Sequence, residues 1–245
     1  MFKAKLKADV LKDVIKVVST LVDEVKVTVA KDGITLKAVD PAHVAMVDLR
    51  LGKEAFDELD ATPCELGVDI DKIKEVLALA KAGDVLDINH DEEHNKLVVH
   101  IENITRHMSL VDTMGMSDPK MPQLNLPAKV KVAAAELIQG IKASESISNH
   151  IALQATPDGF ELSSQGDTDS VSLKLRKDLL LSLECTEPVR SLFSLDYFAN
   201  MIRSVPPSGV VGLAIGQDYP AKMDFEFAEG HGKVTYLLAP RIENE

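Results

Sequence analysis

Apolar and polar residues alternate from Phe2 to Lys7, and a period near two predicts a strand. The period then lengthens: Leu11, Val14, Ile15, Val18 and Leu21 form one helical stripe, with Asp9 expected to cap it and Lys12, Lys16 and Ser19 on another face. Residues 25–29, the Asp32-Gly33 turn and residues 34–38 predict a hairpin, and Ala45, Val47, Leu49 and Leu51 predict another strand. A second unit starts near Cys64 with a strand before Asp69. Its helix buries Ile73, Val76, Leu77 and Ala80 while Lys74, Ala78 and Lys81 face another way. Strands are expected near 84–89, 96–102 and 104–111, with a polar turn at Asp91-Glu92-Glu93. Residues 1–116 therefore read as two consecutive β-α-β-β-β units.

From 112 to 127 the pattern changes to DTMGMSDPKMPQLNLP, where Pro119, Pro122 and Pro127 oppose a continuous helix or a central strand. Residues 117–127 read as a connector, and Met121, Leu124 and Leu126 make it apolar enough to invite docking. The second half, 128–245, opens with a strand at 130–132 and a helix carrying Leu137 and Ile141. A hairpin at 151–155 and 160–163 follows, then alternating Val171, Leu173 and Leu175. A last helix with Phe198, Met201, Ile202 and Val205 stops at Pro206-Pro207, before strands near 210–216, 222–228 and 233–238.

The halves align without a gap at an offset of 126 residues. Leu6, Leu11, Ile15 and Leu21 fall on Val132, Leu137, Ile141 and Ile147; Val25, Val27, Asp32, Gly33 and Leu36 fall on Ile151, Leu153, Asp158, Gly159 and Leu162. A duplicated fold explains such a register better than coincident periodicity.

Composition narrows the reading. The chain has 245 residues, room for two domains; it is 45% hydrophobic but only 4% aromatic and has no Trp, so its cores are aliphatic. A net charge of -12 excludes a uniformly basic nucleic-acid surface and leaves room for a local one. Cys64 and Cys185 are isolated, which suits a reducing compartment. The opening MFKAKLKADV has no secretory apolar region and no apolar run is long enough to span a membrane, so an intracellular location is expected.

Phosphate-loop, dinucleotide, nucleophile-elbow and zinc-helix motifs are absent from the sequence. His90, Asp91 and His94 could offer metal ligands, but a solvated turn collects the same residue types. The dispersed acids read as surface charge rather than as a two-metal nuclease centre. The helix faces are more informative: Lys12, Lys16, Lys72, Lys74, Lys81, Lys142 and Arg203 form a sparse basic track suited to weak, sequence-independent phosphate contacts. Asp13, Glu75, Glu136 and Asp196 interrupt it.

The opening MFKAKL, LKAVDPAHVAMVDL at 36–49, DIDKIKEVL at 69–77, the linker KMPQLNLP and the ending YLLAPRIENE occur together. Over essentially 1–245 the chain resembles the DNA polymerase sliding clamps of the proliferating cell nuclear antigen family, particularly the archaeal members. The resemblance implies an α+β sliding-clamp fold of two similar domains, three identical subunits closed head to tail, and helices facing a central channel. It implies a noncatalytic processivity factor without cofactor, cytoplasmic and associated with chromosomal DNA. Its implied partners are duplex DNA and, through short docking peptides, DNA polymerase, clamp loader, flap nuclease and DNA ligase.

The resemblance assigns peptide binding to Val39, His43, Val44 and Met46, to Leu124, Leu126 and Pro127, and to Pro220, Leu237, Leu238, Ala239 and Pro240. It assigns the subunit interface to Thr105, Arg106, His107, Met108 and Leu110 on one edge and to Ser172, Leu173, Leu175 and Lys177 on the other. Asp13, Glu75 and Ala78 stand where eukaryotic relatives have Lys, and Leu237 where some members have Tyr. A subunit of a heteromeric clamp is the alternative; a metal-dependent nuclease is less favoured.

Overall fold

The first strand, β1 (Phe2–Lys7), runs directly into α1 (Ala8–Val18). Lys7 is the N-cap, and no side chain caps the helix, so Asp9 does not take the expected role. The reason is local: Ala8 N already donates to Asp84 O at 2.7 Å, and Asp9 instead accepts from Gly83 N at 3.1 Å. Strands β2 (Glu24–Ala30), β3 (Gly33–Val39) and β4 (Ala45–Gly52) form an antiparallel meander. After β5 (Glu58–Ala61) and β6 (Cys64–Asp69), Asp69 caps α2 (Ile70–Leu77) by accepting from Lys72 N at 3.2 Å. The sequence continues through β7 (Val85–Asp91), β8 (Lys96–Ile101) and β9 (Ile104–Ser109). The structure, a computed structural model, describes residues 1–116 and 118–242. Ser117, the first residue of the expected connector, and the last three residues of the YLLAPRIENE motif lie outside the described residues.

The second half repeats the order: β10 (Ala128–Ala133), α3 (Ala134–Ser144), β11 (His150–Thr156), β12 (Gly159–Gln165) and β13 (Ser170–Arg176). It continues with β14 (Ser182–Glu184), β15 (Val189–Ser194), α4 (Leu195–Ser204), β16 (Val210–Ile215), β17 (Ala221–Phe227) and β18 (Gly232–Leu238). The short strands β5 and β14 add to the expected β-α-β-β-β units. β9 ends two residues early because Leu110 N turns to Asn95 O at 3.1 Å and Val111 N to Gly67 O at 2.8 Å.

The chain divides into two units, Met1–Lys120 with Glu226–Val234, and Met121–Phe225 with the chain from Thr235 onward. In the first, β5-β1-β7-β8-β9 form one sheet and β4, β3, β2 and β6 neighbour one another in a second, with α1 against α2. Between helices and sheets lies an aliphatic core that includes Leu6, Val14, Val47, Leu49 and Leu86, with an apolar cavity of about 80 Å³ lined by Leu6, Val14, Ile15, Val25 and Ile73. In the second unit, β13-β12-β11-β15 form one sheet, β14, β10, β16 and β17 are neighbours in another, and α3 lies against α4.

Two glycines show the duplication at atomic detail. A Cβ on Gly33 would sit 2.1 Å from Leu51 O, and one on its repeat Gly159 would sit 2.4 Å from Leu175 O. Each hairpin therefore brings the turn backbone against the third strand of its meander, where only glycine fits.

Candidate functional site

In the first unit the polar sides of α1 and α2 carry the expected cations. Lys12 donates from Nζ to Ala80 O at 3.0 Å, which ties α1 to the turn that follows α2. Lys72 pairs with Asp69 at 3.1 Å and Lys74 with Asp71 at 2.9 Å, each one helical turn apart. Lys16 and Lys81 are exposed and make no ion pair among the described residues. In the second unit Lys142 is likewise exposed and unpaired, whereas Arg203 on α4 is ion-paired with Glu145 just beyond α3. Sequence reading could place these charges on helix faces but could not show that four of the seven already hold a partner.

Two acids dilute the track differently. Burial pushes the Asp13 carboxyl up, against the pull of Lys16. Glu75 on α2 is ion-paired to Arg106 on β9, so its charge is drawn off the helix.

The first-unit residues expected to bind peptides lie around a loop organised by a residue sequence reading missed. Asp40 is 3% exposed, and its carboxylate accepts from Ala42 N at 3.0 Å, Val44 N at 2.7 Å and Ala45 N at 2.6 Å. Those bonds hold Val44 and put His43 in the left-handed region at φ 57°. Val39, Val44 and Met46 are half-buried and His43 is exposed. An Asp followed by Pro, with apolar residues after it, was the available signal for such a turn.

In the second unit the expected peptide-binding residues separate by depth. Leu126, Leu237 and Leu238 are buried, while Leu124, Pro220, Ala239 and Pro240 are half-buried and Pro127 is exposed. Leu126 and Pro127 lie against Gly216, where a Cβ would be 3.5 Å from the Leu126 side chain and 3.7 Å from that of Pro127. Buried Ser191 fixes this turn, donating to Gly216 O at 2.8 Å and accepting from Tyr219 N at 2.9 Å.

The candidate subunit contacts fall on sheet edges. Among the described residues β9 pairs only with β8 and β13 only with β12, leaving one side of each backbone without a strand partner in its own sheet. Met108 and Leu175 are buried in their own units, so their side chains do not belong to the exposed surface. Leu173 is half-buried and packs toward Gly140 of α3; Lys177 follows β13 in a short 3-10 turn.

His94 meets Asp91 at 2.9 Å within the turn, and both ring nitrogens of His90 lack a hydrogen-bond partner among the described residues. No group of three or more His, Cys, Asp or Glu side chains that could hold a metal occurs among the described residues. Cys64 and Cys185 are free thiols, and burial pushes the pKa of each up. No helix among the described residues is long and apolar enough to cross a membrane.

Family models described as the N-terminal and C-terminal domains of proliferating cell nuclear antigen match residues 1–121 and 120–241. Proteins named DNA polymerase sliding clamp from Methanosarcina barkeri and Methanocella arvoryzae are 42% and 43% identical over 246 residues, with all of each chain covered. A solved structure described as the C-terminal region of FEN-1 bound to A. fulgidus PCNA superposes with a TM-score of 0.94 at 30% identity, covering all of both chains. The PCNA structure from Thermococcus kodakaraensis gives 0.92 at 26% identity, covering 98% of this chain and all of that one.

Proposed function

The chain belongs to the proliferating cell nuclear antigen family of DNA polymerase sliding clamps, and on that premise we propose that three copies close head to tail around duplex DNA and act without catalysis. The observation that carries this reading is the duplication: both domain models match in sequence order over nearly the whole chain, and each half repeats the same strand and helix order. A heterologous contact repeated by a rotation that closes leaves no free edge, so identical subunits suffice. The proposed contact runs from β9, through Thr105, Arg106, His107 and Leu110, to β13 and its extension, through Ser172, Leu173 and Lys177. Met108 and Leu175 support those strands from within.

Retention on DNA then comes from topology, and phosphate contacts only need to be weak. Lys16, Lys81 and Lys142 can meet phosphates directly, while Lys12, Lys72, Lys74 and Arg203 must first exchange a protein partner. Such exchange lowers the net gain per contact and favours sliding over arrest. The proposed division is a first domain at 1–116, a linker at 117–127 and a second domain at 128–245. Partner enzymes, namely polymerase, clamp loader, flap nuclease and ligase, dock short peptides against Val39, His43, Val44 and Met46 on the first unit and against the residues 124, 126, 127, 220 and 237–240 on the second. The relative described with a bound FEN-1 C-terminal region supports this mode. Tethering raises the local concentration of each enzyme at the primer end, in the cytoplasm on chromosomal DNA.

Native mass spectrometry tests the assembly. The reading expects a species of three chains of 26.7 kDa; an exclusively monomeric protein at micromolar concentration contradicts it.

A further inference from the structure

The duplicated architecture contains its own control for surface function, because β2, β3, β4 and β6 in the first unit correspond to β11, β12, β13 and β15 in the second. The same polar side of each four-strand set can therefore be compared residue by residue. In the first unit, cross-strand registers place Glu24, Lys26, Lys37, Asp48, Arg50, Glu65 and Asp69 on that side, with acids and bases nearly balanced. In the second, the registers put Arg190 beside Gln154, Gln154 beside Glu161, and Glu161 beside Lys174, with Arg176 one row further along. Among the described residues of these strands Glu161 is the only acid on that side, Arg176 is paired with Asp178 just beyond β13, and the remaining positions are mostly Ser, Gln, Thr and Ala. The chain as a whole carries 39 acids against 27 bases, so this local excess of base runs against composition.

The second-unit side is also concave. A groove of about 490 Å³ runs over it, lined by His150, Glu161, Ser163, Ser172, Arg190 and Leu192, among others. The only acid in the groove is already engaged: Glu161 accepts from Ser172 Oγ at 2.6 Å and faces Lys174 at 3.8 Å. Asp218, whose N–H bonds the Arg190 carbonyl at 3.0 Å, has its carboxylate held by Gln217 at 2.6 Å. Arg190 is exposed and makes no ion pair among the described residues. Arg241 adds a further cation at the groove margin, paired by its backbone with Leu192 and contacting the His150 ring.

We propose that this groove on β11, β12, β13 and β15 docks an extended acidic peptide, with Arg190 in the groove as the principal carboxylate contact and Lys174, on the edge strand beside the groove, as the second once it exchanges Glu161. Gln154 and Glu161 stand between the two cations in the register, and the serine and glutamine side chains lining the groove provide donors for an extended backbone. Charge complementarity selects an anionic chain, and the absence of any Phe, Tyr or Trp from this side selects peptide over single-stranded nucleic acid, whose bases need aromatic platforms. The inference stands apart from the docking site proposed above and shares the edge strand β13, with Ser172, with the proposed subunit contact.

Fluorescence anisotropy with the full-length protein tests it, using labelled octaglutamate as the peptide probe and labelled oligothymidylate as the nucleic-acid probe. Arg190→Glu should weaken octaglutamate binding about tenfold and Lys174→Glu by a smaller factor. Lys37→Glu, on the corresponding side of the first unit, should leave it within about twofold. Arg190→Gln provides a milder reading should the charge reversal disturb folding, which circular dichroism would show. The proposal is overturned by wild-type protein that does not bind octaglutamate, by equal losses from Arg190→Glu and Lys37→Glu, or by Arg190→Glu weakening oligothymidylate more than the peptide.

Discussion

Replacing Asp40 tests how the loop proposed for docking in the first unit is built. Its nearly buried carboxylate accepts three backbone N–H groups at 3.0, 2.7 and 2.6 Å. A hydrogen bond to a charged group contributes about 1.5–3 kcal/mol net, and a buried donor left unsatisfied costs about 1–3 kcal/mol. Ala42 is exposed, so water can replace its lost bond, whereas Ala45 is buried and Val44 half-buried. Asp40→Ala should therefore destabilise the first unit by about 3 kcal/mol, from the two inner donors and the loss of the charge. Asp40→Asn should cost about half as much, since one oxygen can still serve Val44 and Ala45 while the new NH2 faces the Ala42 donor. Urea unfolding gives the free energy, and amide hydrogen exchange at Val44 and Ala45 shows whether the loss is local. Binding of a polymerase-tail peptide should weaken in the same order, Ala more than Asn. If Asp40→Ala leaves stability within about 0.5 kcal/mol and both amides protected, the carboxylate does not organise this loop and the reasoning fails.

Other expectations follow from the same geometry. Leu6→Ala, at a side chain 2% exposed, should cost about 2–5 kcal/mol in urea unfolding. Asp13→Asn should stabilise the protein at neutral pH by less than about 1 kcal/mol, because the raised folded-state pKa makes the ionised form unfavourable there. That penalty is absent below the ordinary value of 3.8 and complete above the raised value, so the variant's advantage should vanish in acid unfolding curves. Combined Lys16→Ala and Lys142→Ala should flatten the salt dependence of DNA binding more than Lys72→Ala with Lys74→Ala, whose lysines are already ion-paired. Equal slopes for the two double variants would show that the intramolecular pairs do not matter.

Elements whose periodicity is long and whose turns carry special residues were legible in sequence. α1 and α4 follow their apolar stripes, the Asp32-Gly33 turn closes β2 on β3, and the family resemblance drawn from the motifs is borne out by both domain matches. β5 and β14 escaped because four- and three-residue strands carry too little alternation to stand out. Asp9 looked like a cap because propensity ignores distant backbone partners; Asp84 O satisfies the Ala8 donor across 76 residues. The lysines were visible as a face, but their intramolecular pairs depend on rotamers and on neighbouring loops. Burial separates Leu126, Leu237 and Leu238 from the more open residues assigned with them, a distinction residue type does not carry.

Retention by encirclement is measured most directly by comparing protein loaded by the clamp loader onto nicked circular DNA before and after one cut linearises that DNA. Retention on the intact circle at a salt concentration that abolishes direct binding, followed by rapid loss through the ends after cutting, is the result predicted for a closed ring with weak phosphate contacts. Equal retention on circular and linear DNA would contradict the account, since it would place the hold on DNA in contacts rather than in topology.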